Sequence, residues 1–249
     1  MPRLSTPDIT PFKAPKTKSG PNNFGRGERY SKPSPAIRSR QARAYERAVD
    51  RAVNLGITFV FVTIWWGGAN HPCRDQDEAL RWMREAQRKW LKARGVEFYD
   101  LWAVEIGAEK GQHLHQLVHC PARYRKEFDA YVRGLLSPVS KGAVQIRKPP
   151  RMADCDGCHH PRDWQHLARR YFLKGSTDTV RQRNGIDHCA SASPEAAEVY
   201  AQDQGTIQGK RLGYSRSLGD KANRIRVAGG VRLKNNQIKS DPIPAADAV

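Results

Sequence analysis

The 249 residues include 39% hydrophobic side chains and carry a formal net charge of +18. That is enough apolar content for a packed domain, and the charge draws the chain toward polyanions, nucleic acid first and an anionic membrane surface second. No run reaches the roughly 18 apolar residues of a membrane-spanning helix and no apolar signal region opens the chain, so a cytoplasmic protein with no membrane partner is expected. Five cysteines, an odd number, argue for free thiols or a metal site over a disulfide framework.

Residues 1–35 are rich in Pro, Gly, Ser and Lys and read as a disordered basic arm. Residues 36–56 favour a helix, with Tyr45, Val49, Ala52 and Val53 as a weak apolar stripe and Gly56 as its C-terminal cap. Ile57–Trp65 is β-branched and aromatic almost throughout, the pattern of a central strand, and Gly67-Gly68 stop it. Asp75 or Asp77 caps a helix running to about Arg94, followed by Gly95. Two strands then form a hairpin, Tyr99–Gly107 and Gln112–Cys120. A helix opens at Pro121 and continues to about Leu136, and a short strand covers Ala143–Arg147.

This order predicts an α+β fold: a ferredoxin-like (RRM-like) βαββαβ antiparallel sheet with helices on one face. After a loop, Asp163 caps a further helix from Trp164 to about Lys174, near the open face. Pro194–Gln202 is a possible last helix, and 176–249 reads as a basic, mostly irregular tail.

Chemistry concentrates in the hairpin. His113 and His115 lie two apart in a strand-like run, so alternation aims both imidazoles at one face with backbones about 6.6 Å apart, close enough to converge on one ion. Glu105 shares their parity and is the expected oxygen ligand, with Glu109 a second choice. His119 lies too far along the strand to join them. In the helix from Trp164 to Lys174, Tyr171 and Lys174 are three apart and share a helical face.

With these residues in order on the βαββαβ frame, the sequence resembles the HUH endonucleases, in particular the rolling-circle replication initiators of bacterial plasmids and phages. His113-Leu114-His115 in the third strand, Val62-Thr63-Ile64 in the first and Tyr171-x-x-Lys174 downstream carry the resemblance, which spans residues 57–175. Gly209–Ser215 also looks like a basic glycine motif of prophage-type members. The resemblance implies a divalent ion, Mn²⁺ or Mg²⁺, held by His113, His115 and Glu105, and a Tyr171 nucleophile assisted by Lys174. Its product is a covalent 5′-phosphotyrosine, and its substrate is single-stranded or hairpin origin DNA handed on to a host helicase and polymerase. A Tyr transposase of the same superfamily is an alternative. So is a non-catalytic nucleic-acid-binding module with a structural zinc.

Three further groups are expected to contribute. Trp65, Trp66 and Arg147, if exposed near the site, can stack on unpaired bases or hold a single strand, and Lys210, Arg211 and Arg216 can contact phosphates. Cys155 and Cys158, with two of His159, His160, His188 and Cys189, have the composition of a structural zinc clip.

Overall fold

The computed structural model describes residues 33–73, 75–107, 111–149, 163–187, 205–208 and 210–220. Its strands and helices, in chain order, are β1 (Pro33–Ser34), α1 (Ser39–Asn54), β2 (Val60–Trp65), α2 (Gln76–Lys92), β3 (Asp100–Gly107), β4 (Gly111–Val118), α3 (Arg125–Leu136), β5 (Val144–Arg147), α4 (Asp163–Arg169), α5 (Asp178–Arg183), β6 (Ile207–Gln208) and β7 (Leu212–Tyr214). The fold is α+β. A five-stranded sheet, in the order β5-β2-β4-β3-β7 with every neighbouring pair antiparallel, forms its centre, and β1 pairs with β6 beside it. The expected elements from Ile57 to Arg147 are present, with ends shifted by at most four residues. Asp75 caps α2 by accepting a hydrogen bond from the Glu78 amide at 2.8 Å.

Alternation divides the sheet into two apolar layers. Val60, Val62, Ile64, Trp102, Val104, Leu114 and Val118 pack under α2 and α3, against Leu80, Met83, Leu91, Phe128, Val132 and Leu136. The opposite face departs from expectation, because most of it is covered. Phe59, Phe61, Leu101, Ala103 and Leu117 share the parity of the histidines, and they bury against Ala42, Tyr45, Val49 and Ala52 of α1 and Trp164, Leu167 and Ala168 of α4. The apolar stripe of α1 needs an apolar surface, and these strand residues supply it. Only the far end of that face, where the residue types turn polar, is left for chemistry.

The predicted tail also contributes to the sheet. β7 hydrogen-bonds to the outer edge of β3, with Leu101, Trp102 and Ala103 opposite Tyr214, Gly213 and Leu212. A Cβ at position 213 would run into the Trp102 indole, so the strand approaches only because that residue is glycine. A buried polar network fastens this edge to the helix layer. Arg84 of α2 holds the fully buried Asp100 carboxylate through Nε at 2.6 Å and a second nitrogen at 2.9 Å. Gln116 donates to Asp100 at 2.9 Å and exchanges two hydrogen bonds, 3.0 and 3.2 Å, with Gln87. The Ser215 amide donates to the Asp100 carbonyl at 3.0 Å.

The predicted helix ending at Lys174 is broken. α4 ends at Arg169, and Tyr171–Leu173 forms a 3-10 turn instead. Phe172 and Leu173 are buried in the layer beneath α1, and Ile37 clamps the segment by donating to the Gly175 carbonyl at 2.9 Å and accepting from the Thr177 amide at 3.2 Å.

Candidate metal centre

The centre is built on the β3–β4 ladder. Register sets Glu105 directly opposite His113, and His115 opposite Ala103 on one side and Thr63 of β2 on the other. All three ligand-type side chains therefore project from the same face of adjacent strands. Glu105 and His115 are buried, at 5% and 6% exposure, and His113 is partly exposed. One ligand-type atom from each of Glu105, His113 and His115 lies within 4.8 Å of the others.

The contacts are specific. Glu105 Oε1 lies 3.1 Å from His115 Nε2, and Oε2 lies 3.5 Å from His113 Nε2. His113 Nδ1 is 3.0 Å from the carbonyl of Gly111, which can only accept, so Nδ1 carries a hydrogen and Nε2 is the ring atom that faces Glu105. Gly111 reaches the required geometry with φ +63°. The His115 ring is stacked against Phe61, with centroids 5.6 Å apart and planes 9° apart, and edge-on to His113 at 4.8 Å.

The 3-10 turn brings the downstream pair to this point. In such a turn, side chains three apart eclipse, so Tyr171 and Lys174 stand together. Tyr171 Oη lies 3.2 Å from His115 Nε2, and Lys174 Nζ lies 2.6 Å from Glu105 Oε2 and 3.9 Å from the centre of the Tyr171 ring. Burial alone would push the Glu105 carboxyl up. The field of His115, hydrogen bonds from His113 and His115, and the Lys174 ammonium override it and hold the group well below the ordinary carboxylate value. Burial pulls both His115 and Lys174 below their ordinary values, with Glu105 opposing in each case. Glu105 is therefore an ionised, acceptor-only group facing imidazole nitrogens.

Two histidines and a carboxylate, converging with exposure on the His113 side, fit a divalent cation that takes mixed nitrogen and oxygen donors. Glu109 lies outside the described residues, as do Cys155, Cys158, His159, His160, His188 and Cys189. His119 is spent elsewhere: its Nδ1 lies 2.8 Å from the Thr58 carbonyl.

The expected nucleic-acid contacts divide. Trp65 pairs with His113 across the β2–β4 ladder and is partly exposed. Arg147 is exposed on β5, with its guanidinium 5.7 Å from the centre of the Phe61 ring, and Lys210 and Arg216 are also exposed. Two assignments are corrected. Trp66, at 3% exposure, packs into the helix-covered layer and cannot stack on a base. Arg211, at 1%, sends its guanidinium inward to the carbonyls of Ser34, Pro35 and Gly205, because the residue before β7 faces the β1 segment and not solvent.

Thr63, expected only as part of the first-strand motif, also belongs to the site, opposite His115. Its signal was present: it is the polar member of an apolar strand and shares the parity of the residues facing the histidines. No family model, no curated protein and no solved structure matches the chain.

Proposed function

We propose that this chain is a metal-dependent DNA-nicking and DNA-joining enzyme of the HUH type, acting on single-stranded or hairpin DNA to initiate rolling-circle replication. The strand order supports a ferredoxin-like reading: β2, α2, β3, β4, α3 and β5 run in the βαββαβ sequence, and the sheet order β5-β2-β4-β3 keeps neighbours antiparallel. The observation that carries the proposal is the seating of Tyr171 and Lys174, from a turn far along the chain, within hydrogen-bond reach of the His115 and Glu105 ligand atoms. A phenol and a buried cation seated beside the candidate ligands are the groups that attack on a phosphodiester calls for.

His113, His115 and Glu105 would hold the ion, Mn²⁺ or Mg²⁺, which when bound would supply charge stabilisation to the phosphate. Tyr171 presents its phenol to the phosphorus. A bond forms between its oxygen and phosphorus, the bond to the 3′ oxygen breaks, the phenolic proton is lost and the departing 3′ alkoxide takes up a proton. The exchange of one phosphodiester for another makes the step reversible, so the same tyrosine can rejoin the strand. Lys174 places a positive charge beside the attacking ring, favouring the phenolate. Burial of the ligand atoms keeps bulk water from competing with the tyrosine.

The test uses purified full-length protein, single-stranded DNA from its own origin region labelled at the 3′ end, and Mn²⁺. Wild type is expected to retain label through a denaturing gel, and Tyr171→Phe to retain none. Equal labelling by the two proteins removes Tyr171 as the nucleophile, and no labelling by wild type removes the activity.

A further inference from the structure

Of the two histidines, His113 is oriented by a backbone carbonyl and His115 by a hydroxyl. Thr63 Oγ1 lies 3.3 Å from His115 Nδ1, across the β2–β4 ladder where the two residues are register partners. The difference is chemical. The Gly111 carbonyl accepts only and so fixes one tautomer of His113, whereas a hydroxyl can accept or donate.

His115 needs that latitude because its Nε2 faces two groups of opposite demand. Glu105 Oε1, an acceptor, lies at 3.1 Å and the Tyr171 hydroxyl, a possible donor, at 3.2 Å. When Nε2 carries the hydrogen and gives it to Glu105, Nδ1 must accept, and Thr63 donates. When Nε2 offers its lone pair to a cation, Nδ1 carries the hydrogen, and Thr63 accepts. The ring stays in place through the change, because Phe61 is stacked on it and Phe172 lies 6.5 Å away at 29°. The β-branched Thr63 side chain has restricted χ1 freedom, so only its hydroxyl hydrogen has to turn.

We infer that Thr63 is a positioning residue for the metal centre, holding His115 through either tautomer so that Nε2 can pass from its apo partners to a cation without the ring moving. The inference rests on the metal reading above and deepens it. Outer partners of ligating histidines typically govern affinity by about 10- to 100-fold, which sets the size of effect expected.

The experiment compares wild type, Thr63→Val and Thr63→Ser, each as the full chain, by calorimetric titration of metal-free protein with Mn²⁺. Val keeps the shape and strand preference and removes the hydroxyl, and Ser restores the hydroxyl on a smaller side chain. The expected result is roughly tenfold or greater weakening in Thr63→Val and recovery toward wild type in Thr63→Ser. Metal-free melting of all three proteins reports any effect on folding separately. Wild-type affinity in Thr63→Val overturns the inference, as does Thr63→Ser binding as weakly as Thr63→Val, since the loss then comes from packing. If wild type itself binds neither Mn²⁺ nor Mg²⁺, the metal reading falls and takes the inference with it; if wild type binds and Thr63→Val is unaffected, only the role of Thr63 falls.

Discussion

Lys174 and Glu105 form a buried ion pair, and removing one member leaves the other uncompensated. Such losses cost about 3–5 kcal/mol, and the neighbouring histidines offset part of it here. Lys174→Met is therefore expected to lower the stability of the metal-free protein by roughly 2–4 kcal/mol, read from urea unfolding; a change within 0.5 kcal/mol would place the lysine outside the pair in solution. Cys120 gives a second prediction at this scale. Burial raises its thiol to about 11, with Arg125 and Arg94 opposing. The thiolate is the reactive species, so at pH 8 roughly one molecule in a thousand is competent at this position. Alkylation followed by peptide mapping should find Cys120 almost unmodified in folded protein at pH 8, with its rate climbing tenfold per pH unit toward 11.

The strand pairing that places the ligands was legible before the structure, because Glu105, His113 and His115 share one parity of an alternating hairpin. The cover over their face was not, although its components were in view: Phe61, Leu101 and Leu117 have that same parity. Each strand is packed at one end and polar at the other, so a single label for a whole face hides the change along its length. The Tyr171 segment failed for a related reason. Residue spacing of three suits an α-helix and a 3-10 turn alike, and only the second makes Tyr171 and Lys174 eclipse. β7 is three residues long, too short for any periodicity to register. Its dependence on Gly213 is testable. Gly213→Val meets the Trp102 indole and is expected to cost about 1–3 kcal/mol or detach the strand altogether. Hydrogen exchange at the amides bonded to β3 distinguishes the two outcomes. Arg84→Met strips the buried Asp100 of its bidentate partner and should cost about 3–5 kcal/mol; Asp100→Asn in the same protein should recover part of the loss.

Across the whole molecule, the charge of +18 was the most direct reading and still governs expectation for nucleic acid. Arg147, Lys210 and Arg216 are exposed, whereas Arg211 is consumed internally by the Ser34, Pro35 and Gly205 carbonyls, so net charge overstates what a strand of DNA can meet. Single-strand affinity should fall by about tenfold or more between 50 and 200 mM salt, linear on a log–log plot. Lys210→Ala and Arg216→Ala should each flatten that slope, and Arg211→Ala should instead lower the melting temperature. A slope independent of salt would remove phosphate contacts from the account. Among the described residues no helix is long and apolar enough to cross a membrane.

The β3–β4 hairpin also sets an order in time. Glu105 and His113 are brought together by a short reversal of the chain, and hairpins of this kind close in about 1–10 μs. Tyr171 must reach His115 across 56 residues, and Arg211 must reach Ser34 across 177, so both contacts wait for far larger loops to close. During folding the three candidate ligands on this hairpin meet before Tyr171 arrives. A cation bound at that early stage would act as a nucleus for the rest of the chain, and metal would then speed refolding as well as stabilise its product.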